Sequence, residues 1–128
     1  MATEYPTDEQ LLKVKNWDTL TEGVKPLVQY IESLWWEPDW GFILRKAYRQ
    51  ARKLELHTGG WSGNESIIAS LMSNVSFWNL YWEKSTVGGH YWFIIPEEDW
   101  EREEMKSTGK EKAEMKEVRQ EEKVQQGS

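Results

Sequence analysis

The sequence contains no cysteine, which excludes disulfide bonds and thiolate metal sites. Its longest purely apolar run, residues 91–96, is about six residues, far short of the ~20 that cross a bilayer. Residues 1–5 carry neither a basic region nor an apolar segment, so we expect no secretion signal. Together these absences lead us to expect a soluble protein of the cytoplasm that has no membrane partner.

Tryptophan, by contrast, is abundant, and the composition changes at Pro96. Residues 1–96 hold eight of the nine tryptophans and carry 11 acidic and 9 basic side chains, a net charge of −2. Residues 97–128 carry 11 acidic and 7 basic side chains, a net charge of −4, with few large apolar residues. We therefore predict one domain over 1–96 and a charged, largely disordered or frayed-helical tail over 97–128. The acidic balance argues against tight binding to duplex nucleic acid.

Two helices are predicted at the N-terminal end. Thr7 and Gln10 have the spacing of a capping box, which begins the first helix. Asp18 or Thr21 caps the second helix, whose first turn tolerates Pro26. Spacings of three and four predict a buried stripe along this second helix, formed by Leu27, Ile31, Leu34 and Trp35.

The segment 41–53 fits either a strand or a helix, and we favour an arm of a hairpin, because residues 54–58 then alternate as a strand. Ser62 and Glu65 form a second capping box, and the helix that follows is predicted to bury Ile67, Ile68, Leu71 and Met72. Residues 76–84 alternate as a third strand, residues 85–89 form a hairpin turn, and residues 90–95 form the return strand.

The predicted order is therefore helix, helix, strand, strand, helix, strand, strand. This order indicates an α+β fold with a mostly antiparallel four-stranded sheet and one further helix packed on it.

Several motifs resemble those of a known family. Thr58-Gly59-Gly60-Trp61-Ser62-Gly63-Asn64-Glu65 is followed by Phe77-Trp78, Trp82 and Gly88-Gly89-His90-Tyr91, and preceded by Trp35-Trp36 and Trp40. These residues resemble a family of small proteins encoded by bacteriophages and prophages, over roughly residues 4–95. The resemblance implies a phage accessory protein that acts inside a bacterial host cell. It carries no catalytic role onto any residue, and the tail lies outside it.

The glycine-rich loop is the first candidate binding site. Glycine-rich loops that begin a helix present unpaired backbone N–H groups, which favour an anion such as phosphate. We take Thr58, Gly59, Gly60, Ser62 and Asn64 as ligand-binding candidates. Glu65 joins them, although it equally fits a cap within a tight strand-to-helix turn.

The aromatic residues are the second candidate. Trp61, Trp78 and Trp82, with Tyr91 and Trp92 nearby, are suited to stacking a nucleobase. If residues 76–84 form a strand, Trp78 and Trp82 lie on one face of it. The competing interpretation is that most of these rings form the hydrophobic core, with at least one exposed.

His57 and His90 each lie beside a pair of glycines, so both fit one end of the sheet. His90 is a candidate hydrogen-bond partner for a ligand, and with Ser62 or Glu65 it would form an acid–base pair. The spacing lacks an HExxH pattern or a nearby acidic cluster, so we assign no metal, no cofactor and no catalytic residue.

The basic segment 45–53 either contacts phosphates or is a solvated arm, and we favour the second. The leading hypothesis is a binding protein for a nucleotide-like ligand or a short nucleic-acid segment. The alternatives are a module that binds a host protein through exposed tryptophans, and a small hydrolase that uses His90 with Ser62 or Glu65.

Overall fold

The structure, a computed structural model, describes residues 5–102. Its strands are β1 (Phe42–Lys46), β2 (Arg52–His57), β3 (Trp82–Thr86) and β4 (His90–Ile95). They form one antiparallel sheet in the order β1-β2-β4-β3, so that β2 and β4 are its central strands. The helices in this part of the chain are α1 (Asp8–Lys15), α2 (Thr19–Glu22), α3 (Val24–Leu34), α4 (Pro38–Gly41), α5 (Ser62–Ser73), α6 (Val75–Tyr81) and α7 (Glu97–Glu101). The predicted α+β class, with a four-stranded antiparallel sheet, is confirmed.

The first capping box forms as predicted, because Thr7 and Gln10 each accept a hydrogen bond from the other's backbone N–H. Asp18 caps a helix as expected, but that helix is only the single turn of α2. Gly23, at φ 90°, separates it from α3, a backbone conformation that glycine adopts without strain. The predicted stripe of Leu27, Ile31, Leu34 and Trp35 is buried.

The segment 41–53 contains a hairpin, as favoured from the sequence, with β1 and β2 joined by a 3₁₀ turn at Tyr48–Gln50. Three of its basic side chains pair with carboxylates. Arg45 pairs with Glu55, Lys53 Nζ lies 3.6 Å from Glu83, and Arg52 lies 3.8 Å from Glu101. These pairings fit an arm of the sheet better than a surface for phosphates.

The two faces of the sheet differ in character. Leu54 and Leu56 of β2 and Phe93 and Ile95 of β4 lie on one face, where they are buried against the helices. Because side chains alternate along a strand, Glu55, His57, His90 and Trp92 lie together on the opposite face. The fold therefore gathers polar and titratable side chains on the face that the core does not use.

The strand predicted for residues 76–84 is wrong over most of its length, since Val75–Tyr81 is helix α6 and β3 begins only at Trp82. Buried Asn74 begins the helix by accepting a hydrogen bond from the N–H of Phe77. Its Nδ2 also donates to the carbonyls of Val14 and Trp17, 3.0 and 2.9 Å away. The alternating pattern misleads because Phe77 and Tyr81 are also one helical turn apart, and both are buried in the core.

Helix α5 buries Ile67, Ile68 and Leu71 as predicted. Met72 was expected on the same face but is 47% exposed. Helices α5 and α6 follow one another directly around Asn74, so two helices rather than one connect β2 to β3.

The ordered fold extends beyond residue 96, where we expected the tail to begin. Helix α7 buries Trp100, and Arg52 and Lys25 lie over its ring at 5.5 and 5.7 Å. The Tyr81 hydroxyl donates a 2.8 Å hydrogen bond to Asp99. The remainder of the predicted tail, residues 103–128, lies outside the described residues. None of the helices in the described part of the chain is long and apolar enough to cross a membrane.

Candidate functional site

The loop after β2 is fixed by backbone hydrogen bonds. The N–H of Thr58 donates to the carbonyl of Gly89 at 3.0 Å, which joins the loop to the β3–β4 hairpin. Gly59 and Gly60 follow in the left-handed region, at φ 65° and 76°, and Trp61 N–H then donates back to the Thr58 carbonyl. Gly59 also has a packing role, since a Cβ there would lie 3.0 Å from the ring of Trp40.

The second predicted capping box does not form. The N-cap of α5 is Trp61, which makes no side-chain cap, and Ser62 is already helical. The Ser62 hydroxyl instead donates to the hydroxyl of Tyr5 at 2.9 Å, and Glu65 is exposed. The ring of Trp61 folds back over Gly63, where any Cβ would overlap it. The glycine at position 63 therefore makes room for an indole ring at the start of the helix.

Asn64, a predicted ligand-binding residue, is fully buried and holds three chain segments together. Its Oδ1 accepts from the N–H of Trp36 at 2.9 Å. Its Nδ2 donates to the carbonyls of Trp36 and Thr58 at 3.2 and 3.3 Å. Because every polar atom of the side chain is used, Asn64 positions the loop and Trp36 rather than meeting a ligand itself.

An open cleft of about 410 Å³ lies beside this loop, lined by Trp36, Glu37, Trp40 and Gly59. Trp40 is 55% exposed, although it is among the largest apolar side chains in the molecule. The ring of Trp36 packs against Trp61 with centroids 5.6 Å apart. Glu37 has φ 55°, an uncommon conformation for a residue other than glycine, and such strain is often found at functional sites.

Histidines 57 and 90 face each other across β2 and β4, next to this cleft. Their Nδ1 atoms are 2.8 Å apart, and the ring of His57 lies 6.1 Å from that of Trp40. Trp92 packs edge-on against His57 at 5.8 Å, and Lys84 Nζ lies 4.8 Å above the Trp92 ring. We refer to His57, His90 and Trp92 as the histidine cluster.

Buried Glu55 lies beside the histidine cluster, on the same strand as His57. One carboxylate oxygen pairs with Arg45, and the other lies 3.5 Å from His57 Nε2. The described residues contain no group of three or more histidine, aspartate or glutamate side chains that would hold a metal ion. The contacts that the structure shows in this cluster are the short contact between the two Nδ1 atoms and the approach of Glu55 to His57.

The predicted site residues fall into two separate groups. Thr58, Gly59, Gly60 and Trp61 lie beside the cleft, and His90 lies in the neighbouring histidine cluster. Trp78 and Trp82 stack on each other at 6.3 Å, but not on one strand face as predicted, because Trp78 is on α6 and Trp82 on β3. They pack towards Tyr91 and Phe93, on the face of the sheet opposite His90.

The structure does not assemble the acid–base pair that we considered for a hydrolase. His90 is bonded to His57, and the Ser62 hydroxyl is bonded to Tyr5. The partners of His90 are instead His57 and, through it, Glu55. The sequence contained a signal for this, because Glu55 and His57 are two apart on a strand and therefore share a face.

Sequence reasoning also missed the walls of the cleft. Trp36 and Trp40 entered only as part of the family motif, and Glu37 only as part of a helix end. Their proximity to Gly59 depends on α4 packing against β1 and β2, which no local pattern indicates.

Comparison with protein-family models, curated proteins and solved structures found no match to this chain.

Proposed function

We propose that the chain is a binding protein for a planar, base-like ligand such as a nucleoside or nucleotide, which stacks in the cleft of Trp36 and Trp40. The observation that carries the proposal is the cleft itself, an open aromatic cavity of about 410 Å³. That volume falls within the range of small-molecule sites, roughly 300–1,000 Å³. Its walls are indole rings, which stack on the flat face of any base.

The cleft is held in shape before a ligand arrives, which supports a binding role. Asn64 fixes the backbone of Trp36 through two hydrogen bonds, and Trp61 supports its ring. Gly59 allows the ring of Trp40 to approach the loop. A preformed site loses little conformational entropy on binding, and more of the contact energy then appears as affinity.

The charge of the cleft favours the base over the phosphate as the group that enters it. Among the described residues that line it, the one charged side chain is the carboxylate of Glu37. A carboxylate accepts hydrogen bonds from amino and imino groups of a base and repels a phosphate. A phosphate on the ligand would therefore point out of the cleft.

The resemblance to phage proteins supports a setting for this activity. In the cytoplasm of a bacterial host, a phage accessory protein of this kind would sequester a nucleotide-like signal or a single-stranded segment of nucleic acid. The lack of a membrane-crossing helix among residues 5–102 is compatible with that setting.

A second candidate function rests on the stacked pair of Trp78 and Trp82. Trp82 is 44% exposed, and Leu80 beside it is more exposed still. These residues lie on α6 and β3, and Trp78 and Trp82 pack on the face of the sheet opposite the histidine cluster. A partly exposed aromatic pair of this kind is typical of the anchors of protein interfaces, so it favours a host protein as the partner.

The proposed function is tested by titrating the protein with nucleosides, nucleoside monophosphates and tetramethylammonium while following tryptophan fluorescence. We expect saturable binding of one or more nucleosides, weakened roughly tenfold or more by Trp40→Ala, since each stacked base contributes about 1–3 kcal/mol. Trp82→Ala is the matched control, because it removes a similarly exposed indole on the opposite face.

Equal effects of Trp40→Ala and Trp82→Ala would contradict the proposal, as would silence across the whole panel. Binding of tetramethylammonium alone would also contradict it, because a cleft lined by a carboxylate and two indoles is also suited to a quaternary ammonium group. Host protein captured by the wild type but not by Trp82→Ala would support the second candidate.

A further inference from the structure

The two histidines of the cluster meet nitrogen to nitrogen. The contact joins Nδ1 of His57 to Nδ1 of His90 at 2.8 Å, while the ring centroids are 5.0 Å apart. A contact this short is a hydrogen bond only if one nitrogen carries a proton and the other presents a lone pair. Two lone pairs, or two N–H groups, would repel each other at that distance. One histidine of the pair therefore donates the hydrogen bond and the other accepts it. The neighbouring groups determine which of the two is the donor.

Glu55 decides the assignment. Its carboxylate is buried and lies 3.5 Å from Nε2 of His57, while its other oxygen pairs with Arg45. A carboxylate beside one ring nitrogen favours the proton on that nitrogen, because a lone pair there would face negative charge. A His57 ring with one proton then carries it on Nε2 and presents the lone pair of Nδ1. His90 must donate from Nδ1, which leaves its own Nε2 without a proton.

We propose that Glu55 and His57 set the tautomer of His90 so that its Nε2 is an unprotonated acceptor, and that this nitrogen binds an N–H or O–H donor of the ligand in the aromatic cleft. In this arrangement His90 is the ligand-contacting residue, and His57 and Glu55 are positioning residues. The identity of the ligand rests on the proposed function above. The tautomer of His90 is independent of that function, because it follows from the contacts of His57 and Glu55.

Gly88 of the hairpin turn lies close to this nitrogen. A Cβ at position 88 would lie 3.2 Å from His90 Nε2, so the glycine keeps a side chain away from it. The hairpin end also adjoins the cleft, because Gly89 accepts a hydrogen bond from Thr58, the residue before Gly59. The histidine cluster therefore adjoins the cleft through the Thr58–Gly89 hydrogen bond and through the ring of His57, 6.1 Å from that of Trp40.

The chemistry of the two polar groups narrows the ligand class. Glu37 at the cleft is an acceptor, and His90 Nε2 is an acceptor in the proposed tautomer. A heterocycle that presents N–H donors, such as guanine through its imino and amino groups, satisfies such groups. A ring that presents only acceptors leaves them unpaired, which costs affinity.

The other charged side chains near the histidine cluster contact groups other than the ring of His90. Lys53 of β2 pairs with Glu83 of β3, and Arg45 of β1 with Glu55. Lys84 of β3 lies over the ring of Trp92. Glu55 is therefore the charge that lies against the ring nitrogens of the pair.

The tautomers are measured directly on the ligand-free full chain by long-range proton–nitrogen NMR correlation at neutral pH. We expect His57 with its proton on Nε2 and His90 with its proton on Nδ1, the less common form of a free histidine. His57→Phe should shift His90 to the Nε2 proton. Finding His90 protonated on Nε2 in the wild type would overturn the proposal.

A second measurement separates this proposal from the proposed function. Guanosine affinity is compared between wild type, His90→Phe and Trp40→Ala, with 1-methylguanosine as a ligand that lacks the imino N–H. We expect His90→Phe to weaken guanosine several-fold and to abolish the preference over 1-methylguanosine. Unchanged affinity and preference in His90→Phe would overturn the contact by His90. If Trp40→Ala left guanosine affinity unchanged, the proposed binding in the aromatic cleft would be wrong, even if NMR confirmed the tautomer of His90.

Discussion

Trp61 lies directly over Gly63, so closely that a Cβ at position 63 would overlap the indole ring. This packing is the reason why the third glycine of the loop has no side chain. The ring of Trp61 also contacts that of Trp36 at the edge of the cleft. Gly63→Ala should therefore destabilise the protein by about 1–3 kcal/mol, the typical cost of overpacking, measured by urea unfolding.

The same pair provides its own control. In the double variant with Trp61→Ala, the added methyl group has no ring to displace, so the cost of Gly63→Ala should largely disappear. Strictly additive losses in the two single variants and the double variant would show that Trp61 and Gly63 do not interact.

Gly59 and Gly60 offer a second matched pair, because both have positive φ. A Cβ at Gly59 would lie 3.0 Å from Trp40, whereas one at Gly60 would meet nothing within 4 Å. Alanine at either position should cost about 1 kcal/mol of stability from backbone strain alone. Only Gly59→Ala should also weaken nucleoside binding, by moving the wall of the cleft. Equal effects of the two variants on binding would contradict this geometry.

Asn64 and Asn74 are both buried, and each bonds three backbone groups. Alanine at either position strands buried polar groups, so each variant should lose roughly 1–3 kcal/mol or more in thermal or urea unfolding. They differ in what they hold in place. Asn64→Ala releases Trp36 and should weaken nucleoside binding in the folded protein, whereas Asn74→Ala releases the start of α6. Weakened binding in Asn74→Ala alone would be the contrary result.

Alkaline stability should depend on Tyr81. Burial, and then the hydrogen bond to Asp99, raises the pKa of its hydroxyl above the ordinary value of 10.0. The folded state therefore keeps a proton that the unfolded chain releases. This contribution is fully present below pH 10, and it is lost as the pH rises from 10 towards the folded-state pKa.

The measurement is urea unfolding of wild type and Tyr81→Phe at several alkaline pH values. Their difference in stability should shrink by up to about 1.4 kcal/mol per pH unit above pH 10, because phenylalanine does not ionise. Tyr30, whose pKa burial also raises, is present in both proteins and cancels. A difference that stays constant with pH would show that the hydroxyl of Tyr81 titrates normally.

Local signals in the sequence were reliable where a single element is specified by nearby residues. The capping box of Thr7, the buried stripe of α3 and the glycine turn before β4 each depend on residues within one or two turns of chain. Such contacts form in almost any tertiary setting, so a pattern of residue types is enough to predict them.

Local signals failed where two periodicities coincide. Phe77 and Tyr81 are four residues apart, and so are Trp78 and Trp82. Residues with this spacing share a face of a strand, and they also share a face of a helix. The choice between strand and helix came from Asn74, which is bonded to the end of α1, about 60 residues earlier in the chain. The capping box predicted at Ser62 also depended on a distant residue. The Ser62 hydroxyl donates its hydrogen bond to Tyr5, 57 residues earlier, instead of capping the helix.

The sequence by itself was enough to predict the α+β class, the two hairpins and the glycine-rich loop after β2 as a candidate site. Only the tertiary structure decided which residues meet across the fold: Trp40 with Gly59, His57 with His90, and Glu55 with Arg45. The physical reason is that pairing β2 with β4 depends on burying one common core of residues that are distant in the chain, and packing α4 against β1 and β2 depends on that sheet being formed; no local pattern specifies either.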